Sequence, residues 1–313
     1  MLTLPIFYHP STTLWVDDDS LFLQAVSQLF NPGHLKTFNH PADCLNFMAA
    51  YKAPSSNITF LRGAVEDERY ELARHAPVDL NVASIYQAHT SQTRRDEISV
   101  IIVDHNMPDM TGIALCEKLK HHPAKKILIT GQTSHDTAIE AFNDGIIDKF
   151  INKASENLVP EIYKYHEELL FNYFQEVTTP LLSHLEADMK LPQSDPAFIC
   201  FFHHLCQQYK IQEYYLIDKN GSMLLVDGAG YQRQLIIHTN RSLDAFIELI
   251  SGLQHTESMQ ANIQRRECIP FFGIGRECWE LNREDWNKHL YQPKQLAGRE
   301  TYLYTLLDAM SCL

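Results

Sequence analysis

The run ISVIIVD, residues 98–104, decides the fold. Ile98, Val100, Ile101, Ile102 and Val103 leave only Ser99 and the terminal Asp104 polar. A strand with one wet face would alternate apolar and polar residues. An almost unbroken β-branched run needs cover on both faces, as a parallel sheet between two layers of helices provides. KKILITG (125–131) repeats the pattern, and GIALCEKLK (112–120) between them has helical spacing. Toward the N-terminus, TTLWV (12–16) reads as a strand. A helix follows over about 20–30 on Leu21, Phe22, Ala25, Val26 and Leu29. HLKTF (34–38) is a further strand, and Pro41 opens a helix to about Met48. Toward the C-terminus, SHDTAIEAFND (134–144) is a helix closed by Gly145, and IDKFINK (147–153) is the last strand. Strands and helices in alternation predict an α/β domain over residues 1–156, a doubly wound sheet of five parallel strands.

Each strand of this series ends on a polar side chain. Asp17 and Asp18 follow the first, Asp104 ends ISVIIVD, Thr130 ends KKILIT and Lys153 follows FIN. In an open parallel sheet, ligands bind beyond these carboxyl ends, where the strand order reverses. The consecutive acids Asp17, Asp18 and Asp19 would repel one another unless a cation sat among them or water reached all three. Asp19 reads as a solvated acid or a cap of the following helix, not as a ligand. Asp17, Asp18 and Asp104 together form a set of hard oxygen ligands suited to magnesium.

The motifs WVDDD (15–19), VDHNMPDMTG (103–112), ITG (129–131) and FINK (150–153), in this order and on these elements, resemble the receiver domain of bacterial two-component response regulators. The resemblance covers about residues 11–156 apart from an insertion, and implies a flavodoxin-like fold. It implies that Asp104 is the phosphoacceptor, forming an aspartyl-phosphate. Asp17, Asp18, Asp104 and the main-chain carbonyl of Asn106 would hold Mg2+, and Lys153 would neutralise charge on the transferring group. Thr130 and Phe150 would be the switch pair, Gly131 would leave room for the phosphoryl group, and Pro108 and Gly112 would shape the loop after the acceptor. The partner implied is a sensor histidine kinase or phosphotransfer protein, within a phosphorelay. The chain departs from the family pattern in Ala154, where a proline commonly follows the lysine, and in Phe150, which has no phenolic oxygen.

Between Met48 and Glu97 the alternation stops, and an insertion of about residues 52–96 is expected. EDERYELARH (66–75) and VDLNVASIYQAHT (78–90) in it look helical. Residues 157–189 carry helical spacing from Leu158 to Leu185, with Pro180 expected to kink or split the element. This segment, 157–190, reads as a coupling helix and a candidate surface for a homodimer. LPQSDP (191–196) reads as a boundary before an α+β output domain, 191–313. There a helix (197–209) precedes a hairpin around Asn220-Gly221, a strand (232–239), a helix capped by Ser242 and a helix over 258–267. TYLYTLLDAM (301–310) is a terminal strand or helix, and the sheet should be antiparallel. Its hairpin gives a loose resemblance to a sensory PAS-like sheet.

Composition narrows the function. Residues 1–156 hold 13 Lys and Arg against 19 Asp and Glu, and residues 157–313 hold 13 against 20, so neither half is basic. That disfavours nucleic-acid binding, which relies on basic patches to displace counterions. No segment approaches the roughly 18 consecutive apolar residues of a membrane helix. The first residues, MLTLPIFYHPSTT, lack the basic start of a secretory signal. Seven cysteines stand singly at 44, 116, 200, 206, 268, 278 and 312, as expected for reduced thiols in a cytoplasm. His105 reads as a partly exposed loop residue, and His121-His122 and His203-His204 as surface pairs. The cluster Trp279, Trp286, His289 and Tyr291 reads as packing. The expectation is a phosphorylation-controlled response regulator with a non-DNA-binding output domain that has an unknown protein or small-ligand partner. The alternative is a receiver-regulated enzyme with its active site in residues 195–313.

Overall fold

The computed structural model describes residues 3–30, 33–57, 61–62, 79–131, 135–185, 191–276 and 278–308. In chain order, β1 is Phe7–Tyr8, β2 Thr12–Val16, α1 Ser20–Ser27, β3 Leu35–Phe38 and α2 Pro41–Ala50. The insertion contributes β4 (Leu61–Arg62), β5 (Asp79–Leu80) and α3 (Val82–Ala88). Then come β6 (Ile98–Asp104), α4 (Gly112–Lys118), β7 (Lys125–Thr130), α5 (His135–Asn143), β8 (Lys149–Asn152) and α6 (Leu158–Leu185). The remainder comprises α7 (Pro196–Tyr209), β9 (Ile211–Leu216), β10 (Met223–Asp227), β11 (Gln232–Thr239), α8 (Asn240–Ile250) and α9 (Glu257–Gln264). It closes with β12 (Ile269–Pro270), β13 (Leu290–Tyr291), β14 (Lys294–Ala297) and β15 (Thr301–Asp308).

Contacts divide the chain into two compact units. One comprises residues 9–58 and 91–177; the other comprises 1–8, 59–90 and 178–313. This differs from the linear division at 156 and 190 expected from sequence. Of the insertion, the described residues 61–62 and 79–90 group with the C-terminal residues while its flanks stay with the first unit, and the division falls inside α6, between Val177 and Thr178.

In the first unit the sheet runs β3-β2-β6-β7-β8, all parallel. Strand alternation sends Leu14, Val16, Ile101, Val103 and Leu128 to one face, where they form a core with Cys44 and Met48 of α2, Leu115 and Cys116 of α4, and Ala138 and Ala141 of α5. Thr13 and Trp15 point the other way. Thr13 hydrogen-bonds His166 of α6 at 2.7 Å, and Trp15 packs edge-to-face with Phe22 and Phe30. Helices on both faces explain why the strands read as continuous apolar runs.

α6 is fastened to this sheet along much of its length. Tyr163 donates to the Leu29 carbonyl at 2.6 Å, Lys149 pairs with Glu168 at 2.9 Å, and Lys125 reaches Glu176 at 2.5 Å. Between these last two, the Tyr173 hydroxyl donates to Glu97. Glu97 is buried and also accepts from the backbone N–H and hydroxyl of Ser55, at 2.8 and 2.7 Å. Pro180 does not split the helix, which is assigned without a break through it. A proline forfeits a single intrahelical donor, and the turns on either side remain.

The second unit is α+β, as expected. Its antiparallel sheet runs β1-β9-β10-β11-β15-β14. The terminal segment is the strand β15, paired with β11 from Thr239↔Tyr302 to Arg233↔Asp308. The expected hairpin is present, with a loop built by Asp218, which accepts from the amides of Asn220 and Ser222, and Gly221 at φ +96°. The edge strand comes from the other end of the chain: Phe7 and Tyr8 pair with Tyr215 and Tyr214.

Within the insertion, β4 pairs with β5 and α3 packs on β9, with Ile85 fully buried and His89 against Tyr215. The helix expected over 78–90 therefore starts only at Val82; that expected over 66–75 lies outside the described residues. LPQSDP is no exposed boundary: residues 191–195 are buried, with a 3-10 turn at Pro192–Ser194. Asp195 caps α7 and accepts from the Arg299 amide and the Tyr302 hydroxyl. α8 is capped by Thr239 rather than Ser242, which is the reciprocal member of the capping box.

Candidate functional site: an acidic pocket at the strand ends

The order of the parallel sheet reverses between β2 and β6, its two central neighbours. β3 lies outside β2, and β7 and β8 lie outside β6. The loops leaving β2 and β6 therefore part on opposite sides and open a crevice between them. Asp17 follows β2 and Asp104 ends β6, so the topology brings the two carboxyl groups into that crevice.

Asp17 is wholly buried, Asp104 nearly so, and Asp18 is exposed. One oxygen from each lies within 4.8 Å of the others. Lys153, just after β8, reaches across to both buried acids: its ammonium donates to Asp17 Oδ2 at 2.9 Å and Asp104 Oδ1 at 3.1 Å. The ammonium also lies over the Phe22 ring, 4.5 Å from its centroid. Asp17 Oδ1 accepts the Asp19 amide at 2.9 Å, and Asp104 Oδ2 accepts the Asn106 amide at 2.9 Å. Burial pushes the Asp17 pKa up, and the hydrogen bond from Lys153 opposes it without cancelling it. For Lys153, burial pulls the pKa down, but the bonds to Asp17 and Asp104 outweigh it and leave a net rise. The ammonium is thus held charged between its two partners.

Three carboxylates against one ammonium leave a pocket two charges negative when all are ionised. That surplus matches one divalent cation, and an all-oxygen donor set suits magnesium. Asp17, Asp18 and Asp104 fit such an ion by composition and mutual distance.

The other expected residues sit on β7, on β8 and in the stretch that follows β6. Thr130 is buried at the end of β7, its hydroxyl donating to the Gly131 carbonyl at 3.1 Å. Asn106 is exposed, its side-chain nitrogen 4.0 Å from where a Cβ on Gly131 would stand. Phe150 is half-buried, its ring edge-on to Phe142 of α5. Gly112 has no room for a side chain: a Cβ there would stand 2.3 Å from the Asp104 carbonyl oxygen. Among the described residues no peptide bond is cis. After Lys153, the Ala154 amide donates to Asn152 Oδ1 at 2.9 Å, a bond that a proline could not make. Asp19 is the N-cap of α1, accepting from the amides of Leu21 and Phe22.

Several expected roles change. Leu21 is not a core residue but is 77% exposed; α1 buries Leu23 and Val26 instead. His105 is buried, not a loop residue at the surface, because it still hydrogen-bonds as part of the sheet, its amide donating to the Ile129 carbonyl. His122 is half-buried, and burial lowers its pKa to about 4. Of the expected packing cluster, Trp286 is buried against Phe272, while Trp279 is 61% exposed. Sequence gave no signal for Phe22 as a neighbour of Lys153 or for Glu97 as an anchor of α6.

A parallel sheet with this crevice and this set of polar strand ends defines a response regulator receiver domain, and the chain carries one. The family model described as the response regulator receiver domain matches residues 66–162, which include Asp104, Thr130 and Lys153 but begin after Asp17 and Asp18. Over nearly the full chain, the structure is similar to the Legionella pneumophila response regulator LqsR, at 25% identity and a TM-score of 0.78. That similarity covers 98% of this chain and 90% of LqsR. Two further solved structures cover about half of this chain. An adenylate cyclase from Rhodopirellula baltica is 19% identical, with a TM-score of 0.37, covering 57% of this chain and 99% of that one. A CheY-like receiver domain protein from Methanospirillum hungatei is 19% identical, with a TM-score of 0.35, covering 53% and 98%. No curated protein sequence matches.

Proposed function

We propose that the protein is a phosphorylation-controlled response regulator that accepts a phosphoryl group on Asp104 within a two-component phosphorelay. The observation that carries this reading is the Lys153 ammonium shared between Asp17 and Asp104 at the sheet's switch point. An Asp104 carboxylate oxygen attacks the phosphorus of a phosphohistidine on a kinase or phosphotransfer partner. The new O–P bond forms as the P–N bond breaks, and its electron pair returns to the imidazole. Lys153, held by Asp17 on one side, is placed to neutralise the incoming oxygens. Thr130, at the end of the neighbouring strand, turns its hydroxyl from Gly131 toward the new group. Asp17, Asp18, Asp104 and the Asn106 carbonyl would hold magnesium, which when bound would neutralise the pocket and the phosphoryl oxygens.

The second unit is proposed as an output domain that does not bind DNA, in keeping with the acidic C-terminal half. Among the described residues no helix is long and apolar enough to cross a membrane, and a cytoplasmic site of action is part of the proposal. So is a homodimer through α6, which leaves Val159 and Tyr163 exposed.

The test is incubation of the full-length protein with acetyl phosphate and magnesium, followed by intact-mass analysis. Wild type should gain one phosphoryl group and Asp104→Asn none. A phosphoryl group retained in that variant would remove Asp104 from the role.

A further inference from the structure

We propose that Phe22 is a positioning residue for Lys153, its ring face holding the ammonium over the Asp17–Asp104 gap. This inference rests on the phosphoacceptor reading above. An ammonium has three donors. Two are taken by Asp17 Oδ2 and Asp104 Oδ1, and the Phe22 ring, 4.5 Å away, covers a further side. The face of an aromatic ring carries partial negative charge and attracts a cation within about 6 Å of its centroid. Lysine's four-carbon stem is flexible, and the Lys153 side chain is 33% exposed. Without the ring, water would take that side, and the ammonium would gain a route outward into solvent.

Phe22 is itself fixed by the residues that build the site. It lies in the first turn of α1, where its amide donates to the Asp19 cap, two residues after Asp17. Its ring meets Trp15 edge-to-face, with centroids 6.0 Å apart and planes at 71°. Trp15 is fully buried on β2, two residues before Asp17. One short segment, Trp15–Phe22, thus presents the carboxylate that holds one side of Lys153 and the ring that faces another. By helical spacing Phe22 reads as core, yet it is only half-buried and α1 packs through Leu23 and Val26.

A structural role would depend on the ring's size, whereas a cation–π role depends on its electron density, and fluorine separates the two. Phenylalanines of increasing fluorine content would be placed at position 22 of the full-length protein, and phosphorylation by phosphoramidate with magnesium timed. The rate should fall stepwise along the series by about two- to fivefold in all, with Phe22→Leu at the low end. An independent readout uses metal-free, unphosphorylated protein. The Lys153 ε-methylene resonances should lie upfield through the ring current of Phe22 and return to ordinary values in Phe22→Leu. Rates flat across the series, with wild type still phosphorylated on Asp104, would overturn the role of Phe22 and leave the phosphoacceptor reading standing. Unchanged Lys153 resonances in Phe22→Leu would also overturn it. A wild type that takes no phosphoryl group would end both.

Discussion

Lowering the pH from 7 to 5 should loosen α6 from the receiver sheet through one side chain, His166. Its Nε2 hydrogen-bonds Thr13 of β2 at 2.7 Å, and its ring stands edge-on to Phe30 at 5.1 Å. Burial lowers its pKa from 6.5 to about 4. The unfolded chain therefore takes up a proton at pH values where the folded chain refuses it. This contribution to stability is complete above about pH 6.5 and is lost as pH falls toward 4. With those two values, about 2 kcal/mol disappears between pH 7 and pH 5, and about 3 kcal/mol by pH 4. Hydrogen exchange at peptide resolution over β2 and α6 would read the loss. Wild type and His166→Gln would be compared at each pH, so that intrinsic exchange chemistry cancels. Glutamine can still bond to Thr13 but cannot titrate. His122 shifts in the same direction and is common to both proteins. The gap in protection favouring wild type should narrow by about 2 kcal/mol at pH 5. A gap of equal size at both pH values would refute the argument that His166 is held neutral.

Three further outcomes follow from other contacts. Gly112→Ala would force a Cβ to within 2.3 Å of the Asp104 carbonyl oxygen and 2.8 Å of Leu128. It should cost about 1–3 kcal/mol in thermal unfolding and slow phosphorylation of Asp104; an unchanged melting temperature would show that the loop yields freely. Tyr173→Phe removes a donor from the buried Glu97 carboxylate and should cost about 1–3 kcal/mol, seen as faster exchange around Tyr173 and Ile98. Unaltered exchange there would show that the contact does not hold α6. Asp17→Asn and Asp18→Asn should each weaken magnesium binding by at least about tenfold, followed by the fluorescence of Trp15 beside the pocket. An unshifted midpoint in either variant would take that residue out of the ligand set.

How much could be read beforehand depended on the range of the interaction. ISVIIVD and KKILIT declare their buried strands because both faces are covered, and the observed strands match those stretches. The polar residue at each strand end then locates the crevice, because the sheet topology fixes where those ends meet. Asp17, Asp104 and Lys153 could thus be placed together from linear sequence. β1 carried no such signal: a two-residue strand has no periodicity, and its partner Tyr215 lies far along the chain. LPQSDP resembles a linker by composition, yet Gln193 donates to the Gly221 carbonyl and Asp195 gathers α7 and the β14–β15 turn, contacts set by tertiary structure alone. Phe22 and Glu97 illustrate the same limit. An aromatic at a helical position and an acid before a strand are unremarkable until the fold supplies Lys153 and Tyr173 as neighbours.

The pairing of β1 with β9 also bears on how the protein comes off the ribosome. Phe7 is synthesised well before its partner Tyr215 and must wait for it. At about 5–20 residues per second that delay is on the order of ten to forty seconds. Meanwhile the five strands of the parallel sheet, β3-β2-β6-β7-β8, are complete once Asn152 has emerged. The parallel sheet can thus close while Phe7 and Tyr8 are still without their partners, and Leu4, Ile6 and Phe7, buried in the finished fold, keep their apolar surface in water for that interval.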